Sequence, residues 1–305
     1  MYKIKVFFIG LGVSLLLLGC ESSEQGESSD MPYIVATTGM IADAARQIVG
    51  DSARVDGLMG PGVDPHLYKA TRSDLSKLRD ADLILYNGLL LEGKMSEVLE
   101  KLSQQKPVIA VADVINQQRL IDTGNDTHDP HIWFDLSMWK EAVEILGKRI
   151  AEQYPDRADF FLENAKRYTE ELEALHQWTK KQIQSIPESQ RVLITAHDAF
   201  GYFGQAYDIE VRGLQGISTI SELGLRDVSA LVNYIAERGI KAVFVESSVP
   251  SRSLEAVVAG VQQRGHDVEI GGTLYSDALG AEGTEAGTFV GTVRSNVNTI
   301  VSSLK

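Results

Sequence analysis

The stretch DRADFFLENAKRYTEELEALHQWTKKQIQSI, residues 156–186, contains neither glycine nor proline and decides how the rest of the chain is arranged. Its apolar side chains recur at alternating intervals of four and three residues, at Phe161, Ala165, Tyr168, Leu172 and Leu175. This spacing predicts an amphipathic helix, roughly 45 Å long at about 1.5 Å per residue. Pro155 and Pro187 indicate where it begins and ends. We expect the helix to brace two lobes and limit hinge movement, although a surface helix of one lobe would show the same pattern.

Short apolar runs rich in β-branched residues lie on both sides of this helix. They are YIVATT (33–38), ARVDGLM (53–59), DLILYNG (82–88) and PVIAVA (107–112) before it, and RVLITA (191–196), EVRGLQG (210–216), KAVFVES (241–247) and HDVEIGG (266–272) after it. Helical patterns separate most of them, for example at 226–238 and 253–264. Strands that alternate with helices are typical of parallel sheets covered on both faces. The predicted fold class is therefore α/β, with two βα lobes that each contain a parallel four-stranded sheet and are joined by one long linker helix.

The N-terminal segment has the pattern of a lipoprotein signal. Lys3 and Lys5 precede a thirteen-residue apolar run, 6–18, which is too short to span a bilayer comfortably. The run leads into LLGC, residues 17–20, which resembles the bacterial lipobox, where the cysteine accepts a lipid. Cys20 is the only cysteine, so no intramolecular disulfide can form, and a buried free thiol is the alternative interpretation. We expect an exported protein, anchored through Cys20 to the extracytoplasmic or periplasmic face of the cell membrane.

Composition limits the number of domains and the kinds of partner. About 285 residues follow the leader, enough for two lobes, and 44% of the chain is hydrophobic. The predicted organisation is a lipoprotein signal peptide (1–19), a flexible tether (20–31), an N-terminal lobe (32–155), the linker helix (156–187) and a C-terminal lobe (188–305). The formal charge of −13 argues against nucleic acid as a partner, because binding to phosphates depends on Lys and Arg. We expect a monomer.

Three histidines and one aspartate each follow a predicted strand. They are His66, His131, His197 and Asp277. Open parallel sheets bind ligands at the carboxyl ends of their strands, so these side chains would converge if the two lobes face each other. Each one alone is more often a solvated, capping or turn residue, and the metal-site hypothesis therefore rests on the set. Of the other histidines, His176 and His266 are expected to be exposed, and His128 is expected to be a solvated loop residue or else an alternative ligand.

Six motifs together resemble one family of transport proteins. They are GVDPHLY (62–68), DPHIWFD (129–135), TAHDAFGYF (195–203), RGLQGIST (212–219), FVESSVPSR (244–252) and YSDALG (275–280). They are similar to those of the TroA/ZnuA-like solute-binding lipoproteins of ABC importers, which carry zinc or manganese. The resemblance covers the whole mature chain and implies two βα lobes joined by one long helix. It also implies that His66, His131, His197 and Asp277 bind the metal, and that the partners are an ABC permease and its ATPase.

The cargo ion stays open between Zn²⁺ and Mn²⁺. Manganese-dedicated relatives usually have a glutamate in place of His197, and many zinc-dedicated relatives have a long histidine-rich loop where this chain has only DTGNDTHDP, residues 122–130. Three imidazoles and one carboxylate suit four-coordinate Zn²⁺, whereas Mn²⁺ prefers oxygen ligands and higher coordination. A bidentate Asp277 would accommodate either ion. Metal availability outside the cell can also override intrinsic affinity.

Residues around the ligands are expected to orient them. A ligating imidazole normally donates its second N–H to a carboxylate or carbonyl. The candidate carboxylates, each of which could equally be a cap or a solvated acid, are Asp64, Asp129, Asp198, Glu222 and Glu246. Arg212 is a candidate for steadying the carboxylate of Asp277 or a neighbouring acid.

The sequence leaves two alternatives to transport. A zinc-dependent hydrolase would use the three histidines as ligands and Asp277 or Glu246 as general base, but catalytic zinc needs an open position and the chain has no HExxH motif. A surface adhesin with the same fold is the other alternative. A Walker A loop is absent from the sequence, so we do not expect ATP hydrolysis by this chain. The favoured prediction is a metal-binding protein that is not an enzyme.

Overall fold

The computed structural model describes Met1, residues 31–221 and residues 224–305, and residues 31–305 form one compact unit. The predicted signal peptide, the predicted lipid attachment site Cys20, almost all of the predicted tether and the candidate Glu222 lie outside the described residues. We call residues 32–155 the first lobe and residues 188–305 the second lobe, keeping the predicted boundaries.

The first lobe contains a parallel four-stranded sheet, as predicted. Its strands are β1 Tyr33–Ala36, β2 Arg54–Gly57, β3 Leu83–Tyr86 and β4 Val108–Ala110, and its first helices are α1 Gly39–Val49, α2 Arg72–Asp80 and α3 Ser96–Ser103. The strand order is β2-β1-β3-β4, and every pair is parallel. Ile34, Val35 and Ala36 of the central strand β1 are fully buried, because helices cover both faces of such a sheet.

A small exposed hairpin follows this sheet and was not predicted. Its two antiparallel strands, β5 Asp122–Gly124 and β6 Thr127–His128, are joined by Asn125 and Asp126. Both turn residues have positive φ, at 55° and 59°, which Asn and Asp tolerate better than most other residues. The chain then enters α4 Leu136–Gln153.

The long linker helix is present as α5 Ala158–Gln184, 27 residues or about 40 Å in length. A short 3₁₀ turn, Pro155–Arg157, precedes it, so the α-helix begins two residues later than predicted. All five side chains of the predicted apolar stripe are buried.

The second lobe repeats the βα pattern. Its strands are β7 Val192–His197, β8 Glu210–Gln215, β9 Ala242–Glu246 and β10 Glu269–Leu274, and its helices are α6 Gly201–Tyr207, α7 Leu225–Arg238, α8 Arg252–Gln263 and α9 Phe289–Leu304. The order is β10-β9-β7-β8, again with parallel pairing throughout. The predicted fold class is confirmed.

Helix α5 packs against both lobes. It contacts α1 and α4 of the first lobe and α6 and α9 of the second. One hydrophobic cluster accordingly extends from β1 through α5 to α9. The bracing role is therefore confirmed, and the interpretation as a surface helix of one lobe was wrong.

None of the helices in the described part of the chain combines the length and hydropathy needed to cross a bilayer.

Candidate metal centre

The four predicted site residues lie at a strand end or in the loops that follow strands, two in each lobe. His66 lies in the loop between β2 and α2, and His131 lies between the hairpin and α4. His197 is the last residue of β7, and Asp277 follows β10 by three residues. Each lobe therefore contributes two side chains, as the topology of the sequence predicted.

These four side chains converge at one buried point. One potential ligand atom from each residue lies within 4.8 Å of all the others. The residues are between 0% and 2% exposed, so solvent does not separate them. Four such groups from four distant segments are the donor set that a transition metal needs.

The distances between these atoms fit a single small ion. Nε2 of His66 lies 3.3 Å from Nε2 of His131, and Nε2 of His197 lies 3.2 Å from Oδ2 of Asp277. The other oxygen of Asp277 lies 3.5 Å from Nε2 of His131. Ligands about 2.05 Å from a tetrahedral Zn²⁺ would be separated by about 3.3 Å. The pocket already has the size of a first coordination sphere.

The carboxylate of Asp277 has no protein partner of regular geometry. Within residues 31–221 and 224–305, neither of its oxygens makes a well-formed hydrogen bond, and the same holds for Nε2 of His197. The charge of Asp277 instead faces the ring nitrogens of the three histidines at 3.2 to 3.8 Å. Incomplete hydrogen bonding of a buried carboxylate is unfavourable. A bound cation would satisfy both groups, so this geometry favours a metal site over a packed polar core.

Asp129 orients His131. One carboxylate oxygen, Oδ1, lies 2.7 Å from Nδ1 of His131 and also accepts the backbone N–H of that residue at 2.9 Å. Gly201 makes room for this carboxylate, because a Cβ at that position would lie 2.9 Å from Oδ2 of Asp129. Holding the proton on Nδ1 leaves Nε2 free to face the pocket.

Glu246 occupies the corresponding place beside His197. Its Oε1 accepts the backbone N–H of His197 at 2.8 Å. Its Oε2 lies 2.6 Å from Nδ1 of the same ring, a close ion pair without the hydrogen-bond geometry of the Asp129 contact. Glu246 is the last residue of β9, which pairs with β7, so neighbouring strand ends bring the two side chains together.

Three other candidates for orienting the ligands are placed differently. Asp64 accepts the backbone N–H of His66 at 2.8 Å rather than a ring N–H. The side chain of Asp198 makes no hydrogen bond to the four site residues in the described part of the chain. Arg212 was expected beside Asp277 or a neighbouring acid of the site, but it is half exposed and pairs with Glu210 at 3.0 Å. The expected contact with Asp277 is not made in the described residues, because residues 210 and 212 lie two apart on one face of edge strand β8. Burial raises the pKa of Asp198, next to His197, and the charge of Arg212 acts to lower it.

Burial and neighbouring charges shift the pKa values of the site residues in different directions. Burial lowers the pKa of His66 to about 3, so this imidazole is neutral and ready to bind metal. Burial also opposes the charged form of His197, but the carboxylates of Asp277 and Glu246 outweigh it and raise the pKa of this histidine well above its usual range. Burial acts to raise the pKa of Asp277, yet His197 and the other two histidines hold it well below its usual range.

The remaining histidines lie elsewhere. His128 is half-buried in β6 and does not belong to the cluster. His176 and His266 were expected to be exposed, but both are half-buried. Nδ1 of His176 lies 3.0 Å from the hydroxyl of Tyr207, because α6 packs against α5. Nε2 of His266 lies 2.9 Å from the carbonyl oxygen of Ile240.

Two aromatic residues join the lobes beside the site and were not identified from the sequence. The indole N–H of Trp133 donates to the carbonyl of Ser276 at 3.1 Å, next to Asp277. The hydroxyl of Tyr202 donates to the backbone carbonyl of Asp129 at 2.9 Å. Both aromatics lie in motifs that carry the histidines, at +2 and +5 from the nearest one. Their closeness to the histidines in the sequence is the signal that could have identified them.

Comparison with known proteins identifies the family. The family model described as "Zinc-uptake complex component A periplasmic" (ZnuA) matches residues 34–303. The manganese-binding lipoprotein MntA of Bacillus subtilis (strain 168) is 51% identical over 297 residues, 97% of each chain. The zinc-binding protein TroA of Treponema pallidum (strain Nichols) is 45% identical over 282 residues, 92% of each chain. A solved structure of periplasmic TroA from Treponema pallidum matches with a TM-score of 0.88 at 46% identity, covering 90% of this chain and 99% of that one. The chain therefore belongs to the ZnuA family, and the resemblance seen in its motifs is confirmed.

Proposed function

We propose that this member of the ZnuA family captures a divalent transition metal ion outside the cytoplasm and delivers it to the permease of an ABC importer. The observation that carries the proposal is the convergence of three buried imidazoles on a buried carboxylate whose oxygens make no well-formed hydrogen bond within residues 31–221 and 224–305. The metal is the cargo, and the ligands are His66, His131, His197 and Asp277. Relatives named for manganese and for zinc binding support the same class of cargo.

The ligand set favours zinc in a test of intrinsic affinity. Zn²⁺ accepts nitrogen ligands readily and generally binds such sites more tightly than Mn²⁺ does. Both oxygens of Asp277 face imidazole nitrogens, at 3.2 Å from His197 and 3.5 Å from His131. A bidentate carboxylate would give five ligand atoms, which also suits Mn²⁺. The physiological ion then depends on which metal the surroundings supply.

Capture exchanges a proton for an ion. The neutral imidazole of His66 offers Nε2 directly, whereas His197 must first lose the proton that Asp277 and Glu246 stabilise. The loaded chain, acting as a monomer held to the membrane by a lipid on Cys20, then docks on the permease. The partner ATPase supplies the energy for import, and release follows a small shift that separates the ligands of the two lobes.

The buried carboxylate argues against hydrolysis. A catalytic zinc keeps one position open for water, whereas here Asp277 stands beside all three histidines. The relatives described above are named for metal binding and not for an enzymatic reaction. Nothing in the site favours the hydrolase or the adhesin.

The test is metal analysis followed by calorimetry. Elemental analysis of the full chain from its native cell identifies the ion it carries, and competition between Zn²⁺ and Mn²⁺ ranks their affinities. The double variant His66→Ala/His197→Ala is expected to lose tight zinc binding. The matched control, His128→Ala/His266→Ala, removes two histidines outside the site and keeps it. Undiminished zinc affinity in the first double variant would overturn the ligand set.

A further inference from the structure

The loop that carries His66 is tied to the second lobe by a hydrogen bond. Oδ1 of Asp64 accepts the backbone N–H of His66 at 2.8 Å, and its Oδ2 accepts the hydroxyl of Thr219 at 2.6 Å. One carboxylate thus holds both the backbone of a metal-site histidine and a side chain from the other lobe. A hydrogen bond to a carboxylate is stronger than one between neutral groups.

Thr219 is in turn fixed to the end of β8, the strand that pairs with β7 beside His197. The side-chain amide of Gln215 donates to the carbonyls of Thr219 and Ser221, both at 2.7 Å. Gln215 is the last residue of β8 and is the register partner of His197 on β7. Two site histidines from different lobes are therefore connected through the side chains of Gln215, Thr219 and Asp64.

A second contact brings the same loop against the second lobe. Gly62 has a φ of +71°, and a Cβ on it would lie 3.2 Å from the carbonyl oxygen of Ser247. Ser247 directly follows Glu246, the partner of His197. The backbone around His66 thus approaches the second lobe at two points.

The bond between Thr219 and Asp64 is more accessible than the interlobe bonds of Trp133 and Tyr202. Asp64 and Thr219 are half-buried, whereas Trp133 and Tyr202 are at most 3% exposed. Asp64 and Thr219 also line an open cleft of about 380 Å³, together with Leu67, the neighbour of His66. Water reaches this bond before it reaches the ion site.

We propose that Thr219 and Asp64 form an interlobe latch that positions His66 and sets the rate at which bound metal leaves. Thr219 is a positioning residue, because it acts on the ion only through Asp64 and the backbone of His66. When the latch opens, the His66 loop is free to move from the second lobe and the ligand set is broken. The inference rests on the proposed function.

The test measures release of zinc from the zinc-loaded full chain into an excess of a colorimetric chelator. Thr219→Val removes the hydroxyl at nearly constant shape and is expected to speed release about tenfold or more, because a hydrogen bond to a charged group is lost. Thr219→Ser restores the hydroxyl and should release zinc within about twofold of the unmodified rate. Ser218→Ala, next to the latch, is the matched control and should leave the rate unchanged.

A double-mutant cycle separates the latch from a general loosening of the loop. In an Asp64→Ala background, Thr219→Val should have no further effect on the release rate, since its partner is already absent. Equal release rates for the valine and serine variants, or a full effect of Thr219→Val without Asp64, would overturn the latch. Failure of the unmodified chain to bind zinc at all would instead overturn the proposed function.

Discussion

The two halves of the site use similar side chains but hold charge differently. The first lobe supplies His66 and His131, and burial keeps His66 neutral by lowering its pKa to about 3. The second lobe supplies His197 and Asp277, and the pKa of this histidine is raised by two carboxylates that outweigh its burial. The first lobe thus contributes a neutral His66, whereas the second lobe contributes the ion pair of His197 and Asp277.

This difference shows at which imidazole a metal ion and a proton compete for the same site. With the proposed ligand set, an ion that enters the pocket would meet a neutral imidazole at His66 and a protonated one at His197. In the second lobe, Asp277 attracts the cation electrostatically, but the same carboxylate also stabilises the competing proton on His197. Selective changes to each lobe should therefore have unequal effects on affinity and on its pH dependence.

The largest effect is expected from the second lobe. Asp277→Asn removes the negative charge at nearly constant size, and breaking a buried charge interaction typically costs about 3–5 kcal/mol, or roughly a few hundred- to several thousandfold in zinc affinity. Competition against a chelator of known affinity measures the loss. A loss smaller than that of the carboxylates behind the histidines would show that the aspartate is not a ligand.

The carboxylates behind the histidines come next. Glu246→Gln and Asp129→Asn each keep the side-chain shape but weaken the orientation of a ligating ring, and such changes lower metal affinity about 10- to 100-fold. The same competition assay compares the two lobes directly. If neither variant loses affinity, the imidazoles are positioned by packing alone.

The pH dependence tests the proton on His197. Its pKa is raised, so in the metal-free chain the proton is bound at neutral pH and the metal must displace it; affinity should rise with pH, by about tenfold per unit for one displaced proton. Asp277, whose pKa is lowered, stays ionised over this range. Calorimetry in buffers of different ionisation enthalpy counts the protons released. Zinc affinity that is independent of pH between 6 and 8, about the imidazole range, would contradict a protonated His197 in the metal-free chain.

The smallest effect is expected from Arg212→Ala. This exposed side chain pairs with Glu210 on an edge strand, and surface pairs contribute about 0–1 kcal/mol. Zinc affinity should stay within about twofold of the unmodified value. A large loss would mean that Arg212 acts on the carboxylates of the second lobe at a distance.

Much of the fold could be predicted because buried parallel strands are short apolar runs and the linker helix has a continuous stripe. Apolar residues such as Leu172 and Ile194 are stabilised by burial, and the structure buries both. The hairpin at 122–128 escaped prediction because its strands are two and three residues long and mostly polar. The pattern of a short exposed hairpin is set by its turn rather than by burial.

The site also contains contacts that could not be predicted from the sequence. The convergence of the four site residues could be expected from strand ends. Asp129 and Glu246 were two of five candidate carboxylates, and the sequence did not rank them. The partners of Asp64 and His176 could not be expected, because each is chosen by packing between segments far apart in the chain. Tyr207, for example, reaches His176 only because α6 lies against the linker helix.

The four proposed ligands are separated from one another by at least 65 residues along the chain. A bound ion is therefore a removable cross-link that draws distant segments together, and an unfolded chain cannot offer it the same pocket. At a free ion concentration about a thousand times the dissociation constant, this linkage adds about 4 kcal/mol to the free energy of unfolding. Resistance to heat and to proteases then follows the metal supply, so molecules starved of their cargo are the ones most readily degraded.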